Sequence, residues 1–257
     1  MAAGGVYNRE FFTGSERASL DSARVIVPII ADLVRPVSVV DVGCGEGLWL
    51  TVFQECGATD ILGLDGSFLD EDLLKIPRER FRPTDLRLPL DVGRRFDLAV
   101  SVEVAEHLPE SRAASFVADL TSLAPIVLFS AAIPHQGGVA HLNERWQDYW
   151  AERFAAHDYV PIDCVRARVW SDRRVAWYYA QNLILYGRRD LVASDASLDA
   201  EYQRSRSWPL RIVHPTKYLS TADLAGVPLR RALRQLPTIA YHGLLRTLRR
   251  RTPAARA

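Results

Sequence analysis

The stretch Val39-Val40-Asp41-Val42-Gly43-Cys44-Gly45-Glu46-Gly47 sets an acid two residues ahead of three alternating glycines, and an apolar-rich run from Leu48 to Phe53 follows. An acid at Asp41 repels a pyrophosphate but suits a ligand that carries an ammonium group. Glycine at 43, 45 and 47 lets the backbone turn sharply and lets a ligand lie flat against it. A helix opening after such a turn aims its free amides and positive dipole end at the same space. Two more acids, Asp65 and Asp85, close short apolar runs, and three histidines, His107, His135 and His141, lie in the segments between elements. An imidazole with an unperturbed pKa of ~6.5 is mostly neutral at pH 7 and suited to accept a proton.

These residues need a scaffold, and the hydrophobic pattern predicts one. Val39 to Asp41 reads as a buried strand entering a tight turn and a helix, which Gly57 closes. Ile61 to Asp65, Phe81 to Asp85, Phe96 to Val102 and Ile126 to Ser130 read as four further strands with helical segments between them. Pro109 is expected to open the helix that carries Phe116, Val117, Leu120 and Leu123. Such alternation gives a parallel sheet covered by helices, α/β and doubly wound. Ligands of that architecture sit outside the carboxyl ends of the strands. Asp65 then faces the glycine turn and can accept from two ribose hydroxyls, and Asp85 can accept from an adenine amino group.

The run Asp41-Val42-Gly43-Cys44-Gly45-Glu46-Gly47 resembles motif I of the class I S-adenosylmethionine (SAM) methyltransferases. Phe96-Asp97-Leu98-Ala99-Val100-Ser101-Val102-Glu103-Val104-Ala105-Glu106-His107-Leu108 is similar to an F-D-L-V-x-S-x-E-V-x-E-H-L run common among them. The resemblance covers about residues 37–190. It implies a Rossmann-like, mostly parallel seven-stranded sheet with an antiparallel last strand, the last two strands falling in Val160 to Trp170 and Tyr178 to Tyr186. It also implies SAM as cofactor. The glycines would take the methionine moiety, Asp65 the ribose and Asp85 the adenine, with the backbone near Ser101 beside the methyl group. The dinucleotide fingerprint G-x-G-x-x-G has a different spacing, which disfavours the rival reading as a nicotinamide-dependent oxidoreductase. A non-catalytic scaffold on the same fold is the other alternative.

The segment Ala131 to Trp146 carries His135, Gly137, Gly138 and His141, and its H-x-N-E-x-W run (141–146) resembles a bacterial subgroup linked to sugar or glycan modification. Asn143 is expected to cap a helix through Trp146, Trp150 and Phe154. That would put His141 just before a helix N-terminus, where the dipole favours a neutral ring. His141 is therefore the expected base for a hydroxyl acceptor, with His107 and His135 as the other candidates. A metal reading is the alternative, because some sugar O-methyltransferases use a divalent ion: Glu103, Glu106, His141 and Glu144 could supply ligands, but their spacing matches no known motif, and no metal ligand is assigned. The acceptor implied is a small molecule or a glycan.

The net charge of +1 conceals two halves. Residues 1–202 carry 20 Lys/Arg against 30 Asp/Glu, and residues 203–257 carry 12 against Asp223 alone. The expected organisation is an N-terminal lid and cover helix (1–36), a methyltransferase domain (37–190), and a linker with a basic amphipathic extension (191–257). In that extension, leucines alternate with arginines over 229–236 and 244–251, a pattern suited to an anionic membrane surface. Arginine without interleaved aromatics is a nonspecific signal for nucleic acid. Scattered Cys44, Cys56 and Cys164, with no secretory signal at the N-terminus, point to a reducing, cytoplasmic setting with possible peripheral attachment.

Overall fold

The computed structural model describes residues 9–67 and 69–225, with side chains from 17 to 221. A long helix α1 (Arg9–Val34) leads into strand β1 (Ser38–Val42), helix α2 (Leu48–Glu55) and strand β2 (Asp60–Asp65). Strand β3 (Phe81–Pro83), strand β4 (Leu98–Val102), helix α3 (Ala113–Leu123) and strand β5 (Ile126–Ser130) follow. Then come helix α4 (Gln147–Ala155), strand β6 (Tyr159–Ile162), the short helices α5 (Arg166–Val169) and α6 (Trp177–Asn182), and strand β7 (Ile184–Arg188). Helices α7 (Arg189–Ser194), α8 (Ala196–Ser205) and α9 (Pro215–Ala225) end the described chain.

The seven strands form one sheet in the order β3-β2-β1-β4-β5-β7-β6. All neighbours are parallel except at β7, which runs antiparallel to both β5 and β6. β4 and β5 are buried along their whole length, as parallel strands covered on both faces must be. Because side chains alternate across a strand, β1 feeds two cores. Val39 packs with Ile26 and Ile30 of α1 and Leu50 and Phe53 of α2, whereas Val40 and Val42 pack with Phe116 of α3 and Trp150 and Phe154 of α4. From β1 the chain builds outward to β2 and β3, then returns to build β4 and β5 on the other side. That reversal opens a crevice at the carboxyl ends of β1 and β4, the usual ligand position in such a sheet.

Several boundaries differ from the sequence expectation. The final strands are shorter and displaced: the expected strand Val160 to Trp170 contains α5, and Tyr178 to Tyr186 contains most of α6. Val165 and Val169 reach the core from a helical turn, and Tyr179 and Ala180 do so from α6, so buried apolar residues alone did not identify strand. Pro109 precedes a short helical turn, Glu110–Arg112, and α3 begins only at Ala113. The segment after 190 is helical and packed: Val192 and Leu198 are in the core. The compact unit runs to His214, beyond the boundary expected at residue 190. Residues 215–257 form a second unit, of which only α9 is described. The leucine–arginine stretches after residue 225, residues 1–8, and the side chains of Phe11 and Phe12 in the expected lid lie outside the described residues.

Candidate functional site

The candidate site residues fall into two groups at the carboxyl ends of the strands. In the first, β1 ends in the glycine turn. Gly43 sits at φ 88°, and a Cβ there would lie 2.3 Å from a methyl of Val104, so no other residue fits without displacing that side chain. Nothing lies within 4 Å of where a Cβ on Gly45 would point, so the turn is open on that side. Asp41 is almost wholly buried, and its Oδ1 has no hydrogen-bond partner. Burial, and then the neighbouring Asp65, push its pKa well above the usual carboxylate range. An orphaned buried acid next to an open backbone turn fits the ammonium end of an amino-acid moiety.

Asp65, at the end of β2, accepts from the Gly45 amide (2.7 Å) through Oδ2 and from the Gly66 amide (2.6 Å) through Oδ1. Burial raises its pKa against the lowering effect of these two amides. Each oxygen keeps a second lone pair for a ligand hydroxyl. Asp85 lies beyond β3 and is engaged by Arg87, whose Nε and Nη2 donate to it at 2.8 and 2.6 Å. That pairing lowers the Asp85 pKa to about 2. Its carboxylate can reach an adenine amine only by sharing or leaving Arg87. The Ser101 hydroxyl is fully buried and donates to the Val42 carbonyl at 2.9 Å, tying β4 to β1, so any contact to a ligand there falls to its backbone. Cys44 in the turn is buried, which pushes its thiol up, and it is a packing residue.

The second group comes from the turn after β4 and the loop after β5. The amides of Leu142 and Asn143 both donate to the Glu106 carbonyl, at 2.7 and 3.0 Å, and fasten that loop to the turn. This brings His141 against His107 edge to face, with ring centroids 4.9 Å apart. Burial, and then His141, hold the His107 pKa down at about 4, so its ring is neutral. The Nδ1 of His141 lies 3.0 Å from Glu144 Oε1. Glu144 also accepts from the amides of His135 (2.8 Å) and Gly137 (2.9 Å), so one carboxylate shapes the loop and orients the imidazole. His135 is exposed at φ 67° and stands outside this cluster.

Two expectations about this loop are corrected. α4 starts at Gln147 with Trp146 as its cap residue, and Asn143 is buried, accepting from Arg145 Nε at 2.9 Å. His141 is therefore not at a helix N-terminus, and Glu144, not a helix dipole, acts on its ring. Sequence reasoning also missed a polar wall behind the histidines. Gln136 Nε2 and Asn182 Nδ2 donate to Glu103 at 2.7 and 3.1 Å, and Gln181 Nε2 donates to Asn182 at 2.9 Å. The only sequence trace of this wall is the polar pair Gln181-Asn182 breaking an apolar stretch. Glu106 is fully buried beside Glu103, and burial first, then Glu103, raise its pKa well above the usual range.

A family model described as "Methyltransferase domain" matches residues 16–164. Among curated proteins, the ubiquinone biosynthesis O-methyltransferase of Rhodopseudomonas palustris (strain BisB18) is 29% identical over 119 residues, 43% of this chain and 41% of its own. That of Brucella ovis is 32% identical over 76 residues, 27% of this chain and 30% of its own. The matches thus span less than half the length of these relatives. Among solved structures, the sugar N-methyltransferase KedS8 from Streptoalloteichus sp ATCC 53650 is similar with a TM-score of 0.52 at 17% identity, over 74% of this chain and 99% of its own. CalS10, an amino pentose methyltransferase from Micromonospora echinaspora solved with SAM bound, reaches 0.50 at 16% identity, over 72% and 98%. At these identities the likeness is one of fold.

Proposed function

The chain belongs to the methyltransferase-domain family, the class I SAM-dependent methyltransferases, and from that premise we propose that it methylates a hydroxyl of a small-molecule or sugar-containing acceptor with the help of His141. SAM supplies a methyl group on a sulfonium, open to in-line displacement by an acceptor lone pair. The fold has then to align the acceptor with that methyl group, and alignment is where most of the rate is gained. In this reading Asp41 takes the ammonium group, Asp65 the ribose and Asp85 the adenine, while Gly43, Gly45 and Gly47 cradle the methionine moiety.

The observation that carries the hydroxyl reading is the His141–Glu144 contact of 3.0 Å. A carboxylate on Nδ1 favours the tautomer with its proton there, which leaves the Nε2 lone pair to assist loss of the acceptor's proton. Neutral His107 alongside adds no like charge to an imidazolium. His135, exposed and outside the cluster, takes a lesser part. The printed names support a small-molecule or sugar acceptor: the curated relatives are O-methyltransferases, which favours a hydroxyl, while the two sugar enzymes are an N-methyltransferase and an amino pentose methyltransferase.

The test is transfer of labelled methyl from SAM to fractionated sugars and phenols, with single-turnover rates for wild type and His141→Ala. A base of this kind contributes about 10²–10⁴ in rate. His141→Ala should fall within that range at unchanged SAM affinity. A variant within threefold of wild type would remove His141 from the chemistry.

The basic stretch after residue 225 supports a second site of action, the anionic surface of a membrane, with the protein held peripherally on the cytoplasmic side. No described helix is long and apolar enough to cross a bilayer. Sedimentation with anionic vesicles at low salt, for the full chain and for a chain ended after His214, tests this. Equal sedimentation of the two would end it.

A further inference from the structure

Methyl transfer makes no use of the outward side of the segment Arg206 to His214, which follows α8. Exposure alternates along it: Leu210, Ile212 and His214 are half-buried, whereas Pro209, Arg211 and Val213 are exposed. The inward side is fixed by buried side chains. Arg166 Nη1 donates to the Leu210 carbonyl at 2.8 Å, Gln147 Nε2 donates to the Ile212 carbonyl at 3.2 Å, and the His214 amide donates to Gln181 Oε1 at 2.8 Å. The outward side is thereby held in one arrangement, so contact through it costs little ordering entropy. That side is not polar. Trp208 and Val213 are 37% and 39% exposed, and Tyr218 and Leu219 of α9 are 65% and 58% exposed. These are four of the seven large apolar side chains exposed among the described residues, and they fall within twelve consecutive positions. Single exposed apolar residues are ordinary, but such a concentration marks an interaction surface.

The charge of the same stretch names the partner. Residues 203–221 carry Arg204, Arg206, Arg211 and Lys217 and no acid. His214 joins a second basic segment to it: its ring packs on Trp170 with centroids 4.7 Å apart, its Nε2 lies 2.9 Å from the Trp170 carbonyl, and Arg173 and Arg174 follow. Arg204, Arg211 and Arg174 are paired with Glu201, Asp148 and Asp172. Among the described residues no carboxylate pairs with Arg173 or Arg206, and both are exposed. We propose that the outward side of residues 206–214 docks on an anionic lipid surface, with Trp208 and Val213 entering the interface and Arg173 and Arg206 meeting the headgroups. Tryptophan suits that depth because its ring is apolar while its N–H stays wet. Apolar side chains flanked by cations are what interfacial attachment to anionic lipid requires. Nucleic acid fits less well, since aliphatic Val213 and Leu219 give a base no face on which to stack.

The inference deepens the peripheral attachment proposed above and rests on a different part of the chain from the stretch after residue 225. The experiment uses the full chain at low salt, where charge attraction is least screened, with vesicles of phosphatidylglycerol mixed with phosphatidylcholine. Trp208→Ser combined with Val213→Ser should weaken sedimentation with these vesicles about tenfold. Arg173→Gln and Arg206→Gln should each weaken it about fivefold. Vesicles of phosphatidylcholine alone should bind far less. Trp208→Phe keeps an apolar ring and should still sediment, but lipids brominated near the headgroup should quench less of its tryptophan emission than of wild type. Unchanged thermal midpoints report that the variants are folded. A parallel variant with Arg246, Arg249, Arg250 and Arg251 all changed to Gln separates the two attachments. Loss in that variant, with the Trp208 and Val213 pair behaving as wild type, overturns the docking side and leaves the attachment through the tail. The reverse pattern upholds the docking side and removes the tail. Quenching that is equal in wild type and Trp208→Phe overturns the proposal, as does a full chain that binds single-stranded RNA and ignores the vesicles.

Discussion

Oδ2 of Asp65 accepts the Gly45 amide at 2.7 Å, so the acid expected to hold a ribose is also a strut of the glycine turn. Its removal acts twice, on the ligand and on the backbone that cradles it. Asp65→Ala should weaken SAM by about 1.5–3 kcal/mol, the range for hydrogen bonds to a charged group. Asp65→Asn keeps one carbonyl oxygen for the Gly45 amide and should lose less. Calorimetry checks both, with NADH as a competitor that should have no effect. Equal losses in the two variants would show that the strut role counts for nothing.

Asp41 gives the cofactor site a pH dependence. Burial, and then Asp65, hold its pKa well above the ordinary carboxylate value in the unliganded protein. An ammonium group alongside lowers that pKa, so binding SAM should release a proton wherever pH lies between the free and bound values. Affinity should therefore fall as pH is lowered through this window, and the binding enthalpy should vary with the ionisation enthalpy of the buffer. The stability sign is the reverse of the usual acid. A raised folded-state pKa favours the fold fully below the unfolded value of ~3.9, and the contribution is lost as pH rises through the folded value. Asp41→Asn should thus raise the thermal midpoint of the unliganded protein at pH 7 while weakening SAM and flattening its pH profile. A lower midpoint, or a profile unchanged from wild type, would contradict this.

The residues that were legible in the sequence are those whose partners are local or periodic. β1, β4 and β5 announce themselves because Val39-Val40, Leu98 to Val102 and Ile126 to Ser130 are buried on both faces and so apolar without interruption. The glycine turn is visible because its backbone demands glycine. The region from Tyr159 to Arg188 was misread because Val165, Val169, Tyr179 and Ala180 are as buried as strand residues while lying in or beside short helices, where period alone does not discriminate. The histidine pair was illegible for another reason. His107 and His141 meet only because the Leu142 and Asn143 amides share one carbonyl of Glu106, a contact between segments far apart in the chain. Glu144 stands three residues from His141, and that spacing was the one local signal available.

Gly138 tests whether the position of His141 matters as much as its presence. A Cβ on Gly138 would lie 2.2 Å from His141 Nε2 and 2.4 Å from Cε1, and the residue sits at φ 154°. Gly138→Ala must push the imidazole aside while leaving its identity unchanged. A displacement of about 1 Å at a reacting group can cost ~10²-fold. Single-turnover methyl transfer should drop by about that factor with SAM affinity unchanged. A fully active variant would mean that the ring has freedom to spare and that its orientation by Glu144 is not rate-determining.

Arg166 carries the largest stability prediction. It is 1% exposed, and its Nε and Nη2 donate to Asp163 Oδ2 at 2.9 and 2.7 Å. Its Nη1 donates to the Leu210 carbonyl at 2.8 Å, outside the pair. The segment after α8 is thus fastened from beneath, and two glutamines fasten it again. Gln147 Nε2 donates to the Ile212 carbonyl at 3.2 Å, and the His214 amide donates to Gln181 Oε1 at 2.8 Å. Gln181 in turn bonds Asn182, which holds Glu103, so the strap and the polar wall behind the histidines are one network. Replacing Arg166 by Met leaves Asp163 buried without its counter-charge and the strap without its central donor. Breaking a buried pair in this way costs about 3–5 kcal/mol. The urea midpoint of Arg166→Met should fall accordingly, and adding Asp163→Leu should recover a good part of the loss by removing the stranded charge. Methyl transfer at temperatures where Arg166→Met remains folded should still be reduced, because Gln181, whose carbonyl accepts from Arg166 Nη1 at 3.3 Å, loses that support. A single variant within about 1 kcal/mol of wild type, or a double variant no more stable than the single, would show that the pair does not hold the strap.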